Sequence, residues 1–350
     1  GEIKAVFVTH NETATGVTSD IAALRRAMNE AGHDALLFVD GVSSIGCLPF
    51  EMDAWGVDLA VTGSQKGLMM PPGLGILGVS PKAMKAAETA KMRRAYFEFS
   101  DQVKNNETGY FPYTPPVQLL HGLRAALDLM IEEGFDAVIA RHRRLAAGVR
   151  AAVQAWGLEV CAESPSVYSD TVTAIRTPDG VDARDVIKIA YDRYNASLGS
   201  GLGPLAGKVF RIGHIGDCNE GMCLTAIALA ELCLAEAGAQ VRFGSGVAAA
   251  QAAANKAATS QAAAAQSATA ADASAKSAAS SQTAANNAAN NAATSMASAQ
   301  NASLSANTAA NNAAASAAAA SRSCTTCSTS PSPSSEGWKN TVAAGRITIG

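Results

Sequence analysis

Short apolar runs alternate with stretches of helical period along the first part of the chain, up to about residue 245. The run 3–9 predicts a buried strand. Thr18-Ser19-Asp20 supplies N-cap residues for a helix reaching about Ala31, where Gly32 ends it. Further strands are predicted at 35–39, 58–62 and Gly73–Val79, and Pro81 opens a helix to about Met92. A loop rich in Tyr, Phe and Pro follows, then helices over about 116–133 and 136–156. Strand 169–176, helix 182–193, strand 209–215 and helix 219–237 complete the pattern. Strands alternating with helices argue an α/β fold with a mostly parallel sheet, followed by a second, smaller α/β domain.

The pattern then stops. From Val247 to about Ser335 the chain is almost wholly Ala, Ser, Asn, Thr and Gln. Its charges there are Lys256, Asp272, Lys276 and Arg322, and its larger apolar residues Val247, Met296 and Leu304. Such a segment buries too little apolar surface to offset its ordering entropy as a compact domain, so it reads as disordered or as an alanine-rich helical stalk. Predicted domain boundaries are 1–135, 136–245 and 246–350. Cys324-Thr-Thr-Cys327 has CxxC spacing but no second pair, which argues against a zinc or redox site.

The formal charge of −3 and the lack of a basic run speak against a nucleic-acid partner or an anionic membrane surface. No stretch reads as a secretory signal or a spanning helix, and the five cysteines before residue 245 are scattered without disulfide or metal rhythm; a cytoplasmic setting is expected. The chain opens on Gly1 and enters a strand almost at once, which reads as a fragment whose upstream part is missing.

Two strand ends carry the candidate chemistry. Asp40 closes the run Ala35–Val39, and Lys66 follows Asp58–Gly63 by three residues. A carboxylate and a lysine at the ends of neighbouring parallel strands suit an enzyme holding pyridoxal phosphate, the lysine as Schiff-base partner and the carboxylate on the pyridine nitrogen. Taken singly, a turn aspartate and a surface lysine are the commoner reading. Met69-Met70-Pro71-Pro72 beside Lys66 predicts desolvation of its ammonium. Arg211, inside Val209–Gly213, needs a partner: a small carboxylic ligand or an internal salt bridge. Thr9-His-Asn-Glu-Thr-Ala-Thr-Gly16 places hydrogen-bonding groups at a strand end, and Gly199–Pro204 signals only flexibility.

Taken together, Thr9–Val17, Phe38–Ser44, Thr62–Gly67, Gly109–Pro115 and Lys208–Gly213 resemble the class V, fold type I pyridoxal-phosphate aminotransferases from about Ile3 to Gln251. The likeness is greatest to members that move an amino group between L-serine or L-alanine and glyoxylate through a two-stage, ping-pong route. The resemblance implies part of a cofactor domain over 1–135 and a small C-terminal domain over 136–245. It makes Lys66 the Schiff-base lysine, Gln65 its cofactor-contacting neighbour, Asp40 the partner of the pyridine nitrogen and Val42 a wall against the ring. Thr13 would bond near the ring hydroxyl, Thr114 would reach the cofactor phosphate of the other subunit of a homodimer, and Arg211 would clamp the substrate carboxylate. Family members carry roughly 120–130 residues before this chain's start, holding the phosphate cradle and a ring-stacking aromatic, so impaired activity of these 350 residues is expected. The tail is foreign to the family and resembles phage tail-fibre stalks. A non-catalytic chimera in which the stalk matters is the rival expectation.

Overall fold

The computed structural model describes residues 3–324, and Cys327 of the CxxC pair lies outside them with the segment 336–350. Two compact units are present, Gly1–Ala265 and Gln266–Gly350. Elements of the first, in chain order, begin with β1 (Ala5–Thr9), β2 (Asn11–Glu12), β3 (Val17–Thr18), α1 (Ile21–Glu30), β4 (Leu36–Asp40), β5 (Leu59–Gly63) and β6 (Gly75–Val79). Helices α2 (Pro81–Glu88), α3 (Phe99–Asn106), α4 (Val117–Glu133) and α5 (Phe135–Ala155) follow. Then come β7 (Val172–Arg176), α6 (Ala183–Tyr194), β8 (Gly199–Ser200), β9 (Val209–Gly213) and α7 (Glu220–Glu236). Helix α8 runs Ser245–Cys324.

The first sheet has the order β1-β4-β5-β6. β1, β4 and β5 are parallel, in the register Thr9 beside Asp40 beside Val61, and β6 returns antiparallel to β5. Their shared direction puts the carboxyl ends of β1, β4 and β5 at one edge, where open α/β sheets place ligands. Leu37, Val39 and Ala60 are buried with Ile21 and Met28 of α1, while Phe7 on the opposite face stays exposed. Asp20 caps α1 by accepting from Ala23 N–H at 2.7 Å, the N-cap role its sequence position predicts.

A three-stranded antiparallel sheet, β7-β9-β8, packs under α5, α6 and α7 around fully buried Phe210, Ile175 and Ile227. β7 starts at Val172, later than predicted, because Ser169 Oγ accepts from the N–H groups of Thr171 and Val172 and bends the chain there. α2 ends four residues short of the predicted Met92. α3 falls within the stretch expected as loop: it buries no residue, so no apolar period announces it, and Glu98 caps it.

The alanine-rich segment is helical through Cys324. At the start of α8 a buried carboxylate does the capping. Glu231 of α7 accepts from Gly246 N–H at 2.9 Å, from Gly244 N–H, and from Trp156 Nε1 at 2.8 Å. Among the described residues no helix is long and apolar enough to cross a membrane.

Three buried histidines are kept neutral by burial. His214 Nδ1–H donates to Asp170 O and its Nε2 accepts from the Thr173 hydroxyl, each at 3.0 Å. His142 Nδ1–H donates to Val138 O while its Nε2 accepts from Gly216 N–H. Burial pushes His10 down to about 4 and His214 down to about 3, and lowers His142 as well. These folded-state values lie below the unfolded one, so the unfolded chain binds more protons at mildly acid pH. Their contribution is complete above about pH 6.5 and is lost as pH falls toward the folded values. At pH 5 His10 and His214 should each remove about 2 kcal/mol. Urea denaturation should show a clearly lower midpoint at pH 5.0 than at pH 7.5. Equal midpoints would contradict the neutral assignment.

Candidate active site

Three loops at the carboxyl edge of the first sheet meet β7 and β9. The loop after β4 is organised by Asp40, whose Oδ1 accepts from Val42 N–H at 2.9 Å, and by Ser43. The buried Ser43 hydroxyl accepts from Asn11 Nδ2 at 2.8 Å and from Thr13 Oγ1 at 3.0 Å, and donates to Asn11 O at 2.8 Å. Its carbonyl accepts from Thr171 Oγ1 at 2.9 Å, and Asn11 Nδ2 also reaches Thr171 Oγ1. A single serine therefore ties the β1 loop, the β4 loop and the entry to β7 together. Beside it Ser44 Oγ and the neutral His10 Nδ1 lie 2.9 Å apart.

The loop after β5 presents Lys66. Ser64 Oγ donates to Pro71 O and accepts from Leu74 N–H, closing the loop's base. Met69 sits at φ 58°, a left-handed conformation that a non-glycine residue adopts at a cost of about 1–3 kcal/mol, and its N–H donates to Lys66 O. Gly67 makes the close approach possible: a Cβ there would lie 2.2 Å from Ile45 O. On the other side Gly216, at φ +80°, comes so near that its Cβ would stand 3.1 Å from Lys66 O.

Gly216 is fixed in turn. Arg141 Nη1 donates to Gly216 O at 2.9 Å and to Cys218 O at 2.8 Å, while Nε and Nη2 grip Glu133 in a two-pronged pair. That pair holds the Glu133 carboxyl below its usual range. Lys66 is thus mounted on a backbone buttressed from two sides.

Its side chain opens into a cavity of about 140 Å³ lined also by Thr13, Ser43, Thr171 and Arg211. The Lys66 amine has no hydrogen-bond or ion-pair partner among the described residues. Arg211 has no carboxylate partner there either, contrary to the internal salt bridge considered from sequence. Its Nε donates to Ser200 O and its Nη1 to Thr13 O, each at 2.9 Å, so two carbonyls aim the guanidinium without neutralising it. Asp40 and Val42 stand in the adjacent β4 loop, Asp40 exposed, and Gln65 is exposed beside Lys66. Thr114 is exposed in the segment before α4 and does not line the cavity. A larger cavity of about 680 Å³ lies by Cys161 and Tyr168, away from every predicted site residue. Its Arg150 is already committed to Ser169 O, Asp170 and the Tyr168 ring.

The sequence marks Asn11 only as one of a cluster of hydrogen-bonding groups at a strand end, and it does not point to Ser43 or Thr171 individually. The only signal for Ser43 was its position in the strand-end loop that carries Asp40.

This combination of a sheet-edge lysine, a neighbouring strand-end carboxylate and an arginine from a second sheet occurs on a fold shared with solved aminotransferases. Pyridoxamine–pyruvate aminotransferase from Mesorhizobium loti superposes with a TM-score of 0.68 at 37% identity, covering 73% of this chain and 66% of that one. Ureidoglycine–glyoxylate aminotransferase from Bacillus subtilis gives 0.66 at 30% identity, with coverages of 71% and 65%. The chain belongs to the class V aminotransferases, whose family profile matches residues 1–205. Among curated proteins it is 61% identical over 254 residues to serine–glyoxylate aminotransferase of Methylorubrum extorquens. It is 57% identical over 250 residues to L-aspartate–glyoxylate aminotransferase of Paracoccus denitrificans. Each match covers 71% of this chain, which spans about 63% of the length of those relatives.

Proposed function

We propose that this chain carries the lysine and substrate-binding part of a pyridoxal-phosphate-dependent aminotransferase acting between L-serine and glyoxylate. The observation behind this reading is the unpartnered Lys66 amine facing the same small cavity as Arg211, whose guanidinium has no carboxylate of its own. These groups fit the cofactor: an amine for its aldehyde carbon, a carboxylate for its ring nitrogen and a hydroxyl for its ring oxygen. When bound, the cofactor supplies the electron sink that lets a Cα–H bond of the amino acid break and re-form.

The chain's residues then divide the remaining tasks. Lys66 would hold the cofactor through its amine, the group that would also move the proton at the substrate Cα. Asp40 would keep a proton on the ring nitrogen, Val42 would pack on the ring face, Thr13 would lie by the ring hydroxyl and Gln65 would flank it. Arg211 receives the substrate carboxylate. Thr114 would contact the cofactor phosphate of a second subunit in a homodimer, and the proposed setting is the cytoplasm.

The arginine count separates serine from aspartate as donor. Arg211 is the one arginine lining the cavity among the described residues, so it matches one carboxylate, and the second carboxylate of aspartate would enter without a partner. An unpaired charged group costs more than about 1.4 kcal/mol, a factor of ten. Glycine formation from glyoxylate should run at least about tenfold faster with L-serine than with L-aspartate, with L-alanine accepted as a small one-carboxylate donor. A preference for aspartate would sink the serine reading and favour the chemistry named for the Paracoccus relative.

A further inference from the structure

Behind Lys66, at the start of α7, two cysteines meet. Cys218 immediately precedes the N-cap Asn219, and Cys223 is the fourth residue of the helix. Those are the two positions that pack against each other in a helix-start staple, where contact fixes the angle at which the chain enters the helix. Here the contact is sulfur on sulfur, Sγ to Sγ 3.6 Å. Cys218 is half-buried and Cys223 is buried.

We propose that Cys218 and Cys223 form a peroxide-sensitive thiol pair, which oxidation converts into a disulfide locking the start of α7 to the loop that backs Lys66.

The two sulfurs are unlike in the way such a pair needs. The contact with the Cys223 thiol, with the Arg141 charge nearby, draws Cys218 down to about 7. The same contact and burial push Cys223 up. Burial pushes Cys47 and Cys233 up to about 11. Cys218 is therefore the attacking thiolate and Cys223 the resolving thiol. In the first step Cys218 sulfur attacks one oxygen of a hydroperoxide. An S–O bond forms, the O–O bond breaks, and the leaving alkoxide or hydroxide takes up a proton. In the second, Cys223 sulfur attacks the sulfenic sulfur, the S–S bond forms, and hydroxide leaves with the Cys223 proton as water. Two thiols give up two electrons and the peroxide takes them.

The consequence reaches the site through short covalent distance. Closing the sulfurs from 3.6 Å to a bond of about 2.05 Å moves Cys218, whose carbonyl shares Arg141 Nη1 with Gly216 O. Gly216 is the residue whose Cβ would stand 3.1 Å from Lys66 O.

The test uses the whole chain with hydrogen peroxide as the probe. Tandem mass spectrometry of the tryptic peptide from Ile212 to Arg242 should show a loss of two hydrogens, with the bond placed between Cys218 and Cys223 and reversed by dithiothreitol. Before oxidation, iodoacetamide at pH 7 should alkylate Cys218 at least about tenfold faster than Cys233. Cys223→Ser should stop the reaction at a dimedone-reactive Cys218. In the unmutated chain, stable dimedone labelling or a sulfinic acid at Cys218 without the disulfide would overturn the proposal. So would a disulfide to Cys233 instead.

Discussion

Replacing Lys66 by arginine should lower serine–glyoxylate transamination on the order of 10³-fold or more, equivalent to about 4 kcal/mol of barrier. The charge is kept, but a guanidinium does not give up its proton, so it can neither bond to the cofactor aldehyde carbon nor carry a proton at the substrate Cα. The structure separates this loss from misfolding. Among the described residues the Lys66 side chain makes no hydrogen bond, while the loop is held by backbone contacts through Gly67, Met69 and Gly216. Lys66→Arg should therefore keep the unmutated denaturation midpoint while losing turnover and the covalent hold on cofactor. Turnover within tenfold of the unmutated chain would remove Lys66 from its role.

The second large effect belongs to Arg211. Arg211→Ala should weaken amino-acid and glyoxylate binding by about 30- to 1000-fold, or roughly 2–4 kcal/mol, because the substrate carboxylate loses a charge-assisted partner. Arg211→Lys should rescue little. Lysine cannot keep the bonds to Ser200 O and Thr13 O and still offer a planar fork to a carboxylate. Asp40→Ala should act on a different parameter, reducing kcat through the ring nitrogen while KM changes less. Equal increases in KM for both alanine variants, with kcat unchanged, would contradict the division of roles.

Much of this arrangement was legible in the sequence because it is local. β4 ending at Asp40, β5 ending just before Lys66, α1 capped by Asp20 and Arg211 in mid-strand all follow from apolar runs and cap residues read within a few positions. The antiparallel return of β6 was not legible, since a short apolar run carries no direction. Nor was the Ser43 hub, whose partners Asn11 and Thr171 stand 32 and 128 residues away along the chain. The same holds for the Arg141 clasp on Gly216, which joins positions 75 residues apart. Composition left the alanine-rich segment open between disorder and helix; alanine's helix propensity, with no competing core, is consistent with α8. For Arg211 the sequence offered two partners; among the described residues its guanidinium donates to two carbonyls and meets no carboxylate.

The central claim is that Lys66 is the residue this fold prepares for the cofactor. The direct measurement is to add pyridoxal phosphate to the 350-residue chain, reduce with borohydride, digest and locate the pyridoxyl group. The label is expected on the peptide carrying Lys66, and should be lost from that peptide in Lys66→Arg. A label concentrated on another lysine, such as Lys82 or Lys208, with Lys66 unmodified, would contradict it.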